Sequence, residues 1–311
     1  MDSVSLPSDE VLLASAPVSA PDGQIVAPQV LAKRRRERPP SLLAYPATYF
    51  LIAVNVAVFA AMFRFGPVPA LLAHHEYASL LTEPFSQNVL VFFGSSTPIR
   101  ILVFGEWWRL VSSIFIHVTI LHLLLNMWCL WNLGLFGEPL LGRPGLIAVY
   151  LLTGAAGMLQ SLLMSLYTGQ LSVVAGASGA VFGIAGILIV LLSNRKLALP
   201  WEELRSLRRQ VIFFALANLA IGLAPGMLPG FSPQHLRLMH LNPDFLPRVD
   251  NGAHVGGFLC GLALGLPLFP RMASGRSSYR VRQGLVFGVA AVLLCLVGHA
   301  LGSFARSAMS R

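Results

Sequence analysis

Four polar side chains sit where this sequence is otherwise apolar. Ser178 lies in Val174-Ala175-Gly176-Ala177-Ser178-Gly179-Ala180, His254 in Ala253-His254-Val255-Gly256-Gly257, and His122 stands four residues before Asn126. Polar groups inside lipid are costly unless they meet one another or water. A hydroxyl that reaches an imidazole becomes a nucleophile. The four are therefore read as one catalytic site. Each has a plainer reading alone: Gly-x-Ser-Gly as a helix-packing motif, His-xxx-Asn as a structural hydrogen-bonding pair, His254 as a structural histidine near a span end. What favours the common site is that they agree in depth.

The elements that must position them are membrane spans. Of 311 residues, 55% are hydrophobic and 11% charged, with mean hydropathy +0.70; an average soluble domain carries roughly 25% charged residues. Apolar runs predict seven spans, at about 47–64, 119–136, 146–167, 177–193, 210–224, 253–269 and 284–302. The fold class is an all-α polytopic membrane protein. Residues 1–40 carry no sustained apolar run and end in Lys33-Arg34-Arg35-Arg36-Glu37-Arg38. They read as a disordered cytoplasmic tail, since a secretory signal would place its charge before a short apolar core. With that tail inside, 15 of the 22 lysines and arginines fall on the inner side, which sets the N-terminus in the cytoplasm and the C-terminus outside. The same bias accounts for the net charge of +9 through contact with anionic membrane lipids, and nucleic acid is not an expected partner. Cys129, Cys260 and Cys295 all lie in apolar runs and read as packing residues, without a disulfide framework.

On this topology the second, fourth and sixth spans run in the same direction. Ser178 lies 17 residues before Arg195, His254 17 before Arg271, and His122 16 before Glu138. At about 1.5 Å per residue all three sit about 24–26 Å from the inner face, below the outer surface of a core about 30 Å thick. Asn126 follows one turn deeper on the same helical face as His122. Gly179 and Gly183 on one span, and Gly257 and Gly261 on the other, give two small-xxx-small faces that allow backbones to approach closely. The outer segment 65–118 is expected to lie in the interface without a full crossing, and the proline-rich loop 225–252 to hold only short, broken structure.

Taken together, the sequence resembles the rhomboid intramembrane serine proteases over roughly residues 47–269. The matching stretches are Glu106-Trp107-Trp108-Arg109, His117-xxxx-His122-xxx-Asn126, Glu138-xx-Leu141-Gly142, Gly176-Ala177-Ser178-Gly179 and Ala253-His254-Val255-Gly256-Gly257-xxx-Gly261. The resemblance implies a six-helix core (about 41–270) and a further C-terminal membrane helix, with residues 271–311 forming an inner linker, that seventh span and a short outer tail. It also implies a serine–histidine dyad that opens to water from the outer side. Ser178 matches the nucleophile, His254 the general base, and His122 with Asn126 the oxyanion donors; Phe182 stands where the family carries an aromatic ring against the base. Gly176, Gly179, Gly257, Gly261, Trp108, Arg109 and Glu138 are the expected supporting residues.

With no acidic residue at that depth on the core helices, no third carboxylate is expected. Neither is a cofactor or a metal. The expected activity is endopeptidase cleavage of transmembrane protein substrates near the outer face of a bacterial inner membrane. Local unwinding of the substrate helix would be required, which favours Gly, Pro or polar residues near the cut. The rival readings are a catalytically silent relative that binds membrane helices, and a transporter. The full set of four residues argues against the first. The second would call for intramembrane carboxylates or related halves, and neither is apparent.

Overall fold

The computed structural model describes residues 44–64, 85–169, 171–195, 197, 200–227, 250–269 and 275–309. The expectations for the tail 1–40 and for nearly all of loop 225–252 lie outside the described residues. Among the described residues the chain is helical, with a lone β-bridge between Ser96 and Val174 and no strand.

Helix α1 (Pro46–Phe63) starts on a proline, whose missing N–H costs nothing in a first turn. Its orphan amides at Ala47 and Thr48 donate to the carboxylate of Glu138 at 3.0 and 2.8 Å, and Thr48 Oγ1 donates to the same carboxylate at 2.8 Å. Glu138 is buried, so its charge is offset by a helix N-terminus that it holds in place. Farther along, Asn55 Nδ2 donates to Tyr150 Oη at 3.0 Å. Residues 85–118 form only short pieces: α2 (Gln87–Phe93), α3 (Pro98–Leu102), α4 (Arg109–Ser112) and a 3-10 turn at Ser113–Phe115. None of these is long enough to cross a bilayer.

Two of the expected spans run together in α5 (Ile120–Thr168). They are divided at Gly142, where φ is 74° and the helix breaks between Pro139 and Pro144. The halves fold back on each other, because His122 in the first and Gly157 in the second both lie against the chain at Gly176–Gly179. Helix α6 (Ser178–Leu191) is the core, buried without interruption from Gly179 to Leu188. It is enclosed by α5, through Thr153 against Gly183, and by α8 (Asn251–Leu268), through Phe258 against Gly186.

Helix α7 (Trp201–Met227) begins well before the apolar run at 210–224. Its first turns carry Glu202, Glu203, Arg205 and Arg208, and the Trp201 ring receives the guanidinium groups of Arg195, Arg205 and Arg208. Helix α9 (Arg276–Met309) runs along the outside of the bundle. By length and composition α1, α5, α8 and α9 can each cross a membrane, and α5, at 49 residues or about 73 Å, is long enough to do so twice. The protein is an integral, multi-pass membrane protein.

Candidate active site

Ser178 is the first residue of α6, at the head of the most buried helix. At 14 residues α6 rises about 21 Å, short of a hydrocarbon core of about 30 Å. The irregular chain before it is held by backbone pairing. Val174 exchanges two bonds with Ser96, both 2.9 Å, and Gly176 N donates to Ser113 O at 3.0 Å. Gly176 has φ 135°, and a Cβ there would stand 2.8 Å from Cε1 of His122 and 3.0 Å from its Nε2. Glycine is therefore needed twice, for the backbone angle and for the approach of the imidazole.

His254 lies in the first turns of α8, where Asp250 is the N-cap and accepts from Ala253 N at 3.0 Å. Its ring stacks on Phe182, with centroids 4.3 Å apart and planes inclined by 17°. Phe182 is four residues after Ser178, so the stack places the imidazole on the face of α6 that carries the serine. Close packing of the helices makes this possible. A Cβ on Gly257 would run into the carbonyl oxygen of Gly179, and one on Gly261 into that of Gly183. The two glycine pairs thus face each other, backbone against backbone. Among the described residues no hydrogen bond joins Ser178 to His254, and His254 Nδ1 has no partner. Asp250, four residues before His254, has both carboxylate oxygens engaged elsewhere: Oδ1 by Ala253 N, Oδ2 by Ser161 Oγ.

On the other side of Ser178, Thr119 caps α5 by accepting from His122 N at 3.0 Å. Asn126 Nδ2 donates to His122 O at 3.0 Å, and an amide nitrogen carries a second N–H. His117 lies edge-on to His122 at 5.2 Å. Burial, above all, pushes the His117 pKa well below the usual imidazole value, so it packs as a neutral ring. Among the described residues no group of three or more His, Cys, Asp or Glu side chains has the arrangement of a metal site.

Trp108, Arg109 and Glu138 stand apart from this cluster. Arg109 is buried and ties the outer segment together: Nη1 donates to Val91 O at 2.7 Å and Ser95 O at 3.1 Å, and Nε binds Glu106. Trp108 is half exposed, with the guanidinium of Arg109 4.6 Å over its ring. Sequence reading missed Gly157, whose Cα lies beside Ala253 and Gly179, and also the Ser161–Asp250 contact. An aspartate just ahead of an apolar run is an N-cap signal that marks Asp250; nothing in the sequence marks Ser161 as its partner.

The Rhomboid domain family model matches residues 104–271, more than half of the chain and all four central polar residues. The chain belongs to the rhomboid family. The rhomboid relatives include the rhomboid protease GluP of Bacillus subtilis, 34% identical over 185 residues, 58% of this chain and 30% of GluP. RHOMBOID-like protein 5 of Arabidopsis thaliana is 31% identical over 239 residues, which is 72% of this chain and 68% of that protein. Rhomboid-like protease 2 of Toxoplasma gondii is 29% identical over 213 residues, 68% of this chain and 62% of the relative. This rhomboid therefore spans less than a third of GluP but more than two thirds of the plant protein. Its relatives carry names of both proteases and rhomboid-like proteins.

Proposed function

We propose that this rhomboid is an intramembrane serine endopeptidase that cleaves transmembrane helices. The observation that carries the proposal is the stacking of His254 on Phe182, one helical turn from Ser178, where glycines let two helices touch. In this reading His254 takes the proton of Ser178 Oγ as the hydroxyl attacks the scissile carbonyl carbon. The tetrahedral oxyanion is met by the N–H of Ser178 at the N-terminus of α6, with side-chain N–H groups of His122 and Asn126. His254 then gives its proton to the leaving amine, and water hydrolyses the acyl-enzyme with His254 again as base. Phe182 takes the orienting role that a carboxylate fills in a triad, since Asp250 is occupied by its cap and by Ser161.

The proposal extends to setting. Residues 41–270 form the protease core, and 271–311 the linker, seventh span and outer tail. The tail 1–40 is cytoplasmic, the C-terminus is outside, and the membrane is the bacterial inner membrane. Ser178 opens to water on the outer side, where water enters and an unwound substrate segment is received. The test is a double-mutant cycle on cleavage of a reporter transmembrane helix by purified protein. Ser178→Ala and His254→Ala should each abolish turnover with the fold intact, and the double variant should lose no more than either alone. Turnover near the wild-type rate in Ser178→Ala removes the serine mechanism, and leaves a protein that binds membrane helices without cutting them.

A further inference from the structure

Nothing in this mechanism uses α9. Most of that helix presents apolar side chains outward, Leu285, Val289, Val292 and Leu296 among them, as a lipid-facing helix does. Two places on it differ. At one end Gln283 Nε2 donates to Leu141 O at 2.9 Å, beside the break at Gly142. Toward the other end, Trp107 of the outer segment lies over Gly298 and Gly302. A Cβ at Gly302 would stand 2.9 Å from Trp107 Cζ2, and one at Gly298 would stand 3.3 Å from Cε3 and Cζ3. Gly284 and Gly288, on the same helix, have nothing within 4 Å. The upper pair is thus a notch filled by an indole, extended by Leu294 and Leu301 packed with Ile101, Leu102 and Leu162.

Trp107 is joined to the site through a short series of contacts. Its neighbour Glu106 binds Arg109, and Arg109 holds Val91 O and Ser95 O. The next residue, Ser96, pairs both ways with Val174, and Ser113, at the end of α4, accepts from Gly176 N. Val174 and Gly176 belong to the segment that delivers Ser178 into the bundle. A continuous run of packed and hydrogen-bonded parts therefore links the notch to the serine.

We propose that α9 braces the active site: the seat of Trp107 in the Gly298/Gly302 notch fixes the outer segment, and the outer segment fixes the approach to Ser178. Trp107, Gly298 and Gly302 are positioning residues in this scheme. The consequence for activity rests on the protease reading; the mechanical link does not.

The experiment uses the full chain in lipid, with Gly298→Leu and Gly302→Leu filling the notch and Gly284→Leu and Gly288→Leu as controls on the same helix. Two quantities are read, amide exchange across residues 171–178 and the rate of acylation by a small fluorophosphonate. The notch variants should raise exchange in that segment at least tenfold and slow acylation at least fivefold, with the controls within twofold of wild type. Trp107→Ala should act like the notch variants without adding bulk. Combining Trp107→Ala with Gly302→Leu should recover part of both losses, because leucine then occupies the indole's space; a purely global loss of stability would deepen instead. Unchanged exchange in the notch variants overturns the brace, and so does equal loosening in the controls. Loosened exchange with acylation at the wild-type rate overturns its link to the serine. If wild type takes no label while the notch variants loosen the segment, the brace stands and the protease reading falls.

Discussion

Gly157→Ala adds one methyl where the helix that carries His254 meets α5. Its Cβ would stand 2.6 Å from the carbonyl oxygen of Ala253, about 0.8 Å inside an ordinary contact at 3.4 Å. The obstacle is backbone and cannot rotate away, so α8 has to shift by roughly that distance at the residue before His254. Overpacking of this kind costs about 1–3 kcal/mol, which a bundle of this size survives. A misplacement near 1 Å costs on the order of 10²-fold in rate, so kcat on a reporter transmembrane helix should fall about tenfold to a hundredfold. The folded fraction should stay close to wild type. Gly137→Ala provides the contrast: its Cβ would stand 3.2 Å from Leu146 Cδ1, the far end of a flexible side chain that can yield by a few tenths of an ångström. The assay is single-turnover cleavage, with thermal unfolding of the same preparations. Wild-type kcat in a folded Gly157→Ala protein would refute the reasoning, since the α5–α8 contact would then not set the imidazole.

Asn126→Ala should lower kcat about tenfold to a hundredfold with little change in KM, toward or below the low end of the 10²–10³ typical for loss of one oxyanion donor, because His122 and a backbone N–H remain; a KM effect alone would make Asn126 a substrate-positioning residue. Glu138→Gln keeps one acceptor oxygen for donors that now share a carboxylate, so at least one buried donor loses its partner at about 1–3 kcal/mol. Calorimetry should show a lower melting temperature, with kcat per folded molecule preserved. The hydrogen bond from Arg109, reinforced by that guanidinium's charge, holds the Glu106 carboxyl below its ordinary value of 4.5. Its contribution is therefore complete above pH 4.5 and is lost as pH falls through the lowered folded value. Hydrogen exchange of the outer segment in wild type and Glu106→Gln should differ at neutral pH and converge in acid; a constant difference would mean that Glu106 does not titrate there.

Much of the candidate site is legible because polar residues in apolar spans are rare. Ser178, His254, His122 and Asn126 stood out for that reason, and the glycine pairs 179/183 and 257/261 could be matched by spacing alone. Helix limits were less legible. Helices α7 and α9 extend well past the runs at 210–224 and 284–302, since an apolar run marks the bilayer and a helix continues into its charged turns. Distant partners without a shared depth or a matching glycine face were not legible. Glu138 reads as a loop carboxylate until α1 is seen to place Ala47 and Thr48 on it. Gly157 and Trp107 likewise gain meaning only from the neighbouring helix, because periodicity gives the face a residue occupies and not the residue opposite.

The central claim is that Ser178 is a nucleophile activated by His254. It is tested most directly by mass spectrometry of the full chain after reaction with a small fluorophosphonate. The account predicts one adduct, on Ser178, that is absent from Ser178→Ala and nearly absent from folded His254→Ala. No adduct on folded wild-type protein, an adduct on another residue, or full labelling of Ser178 without His254 would contradict it.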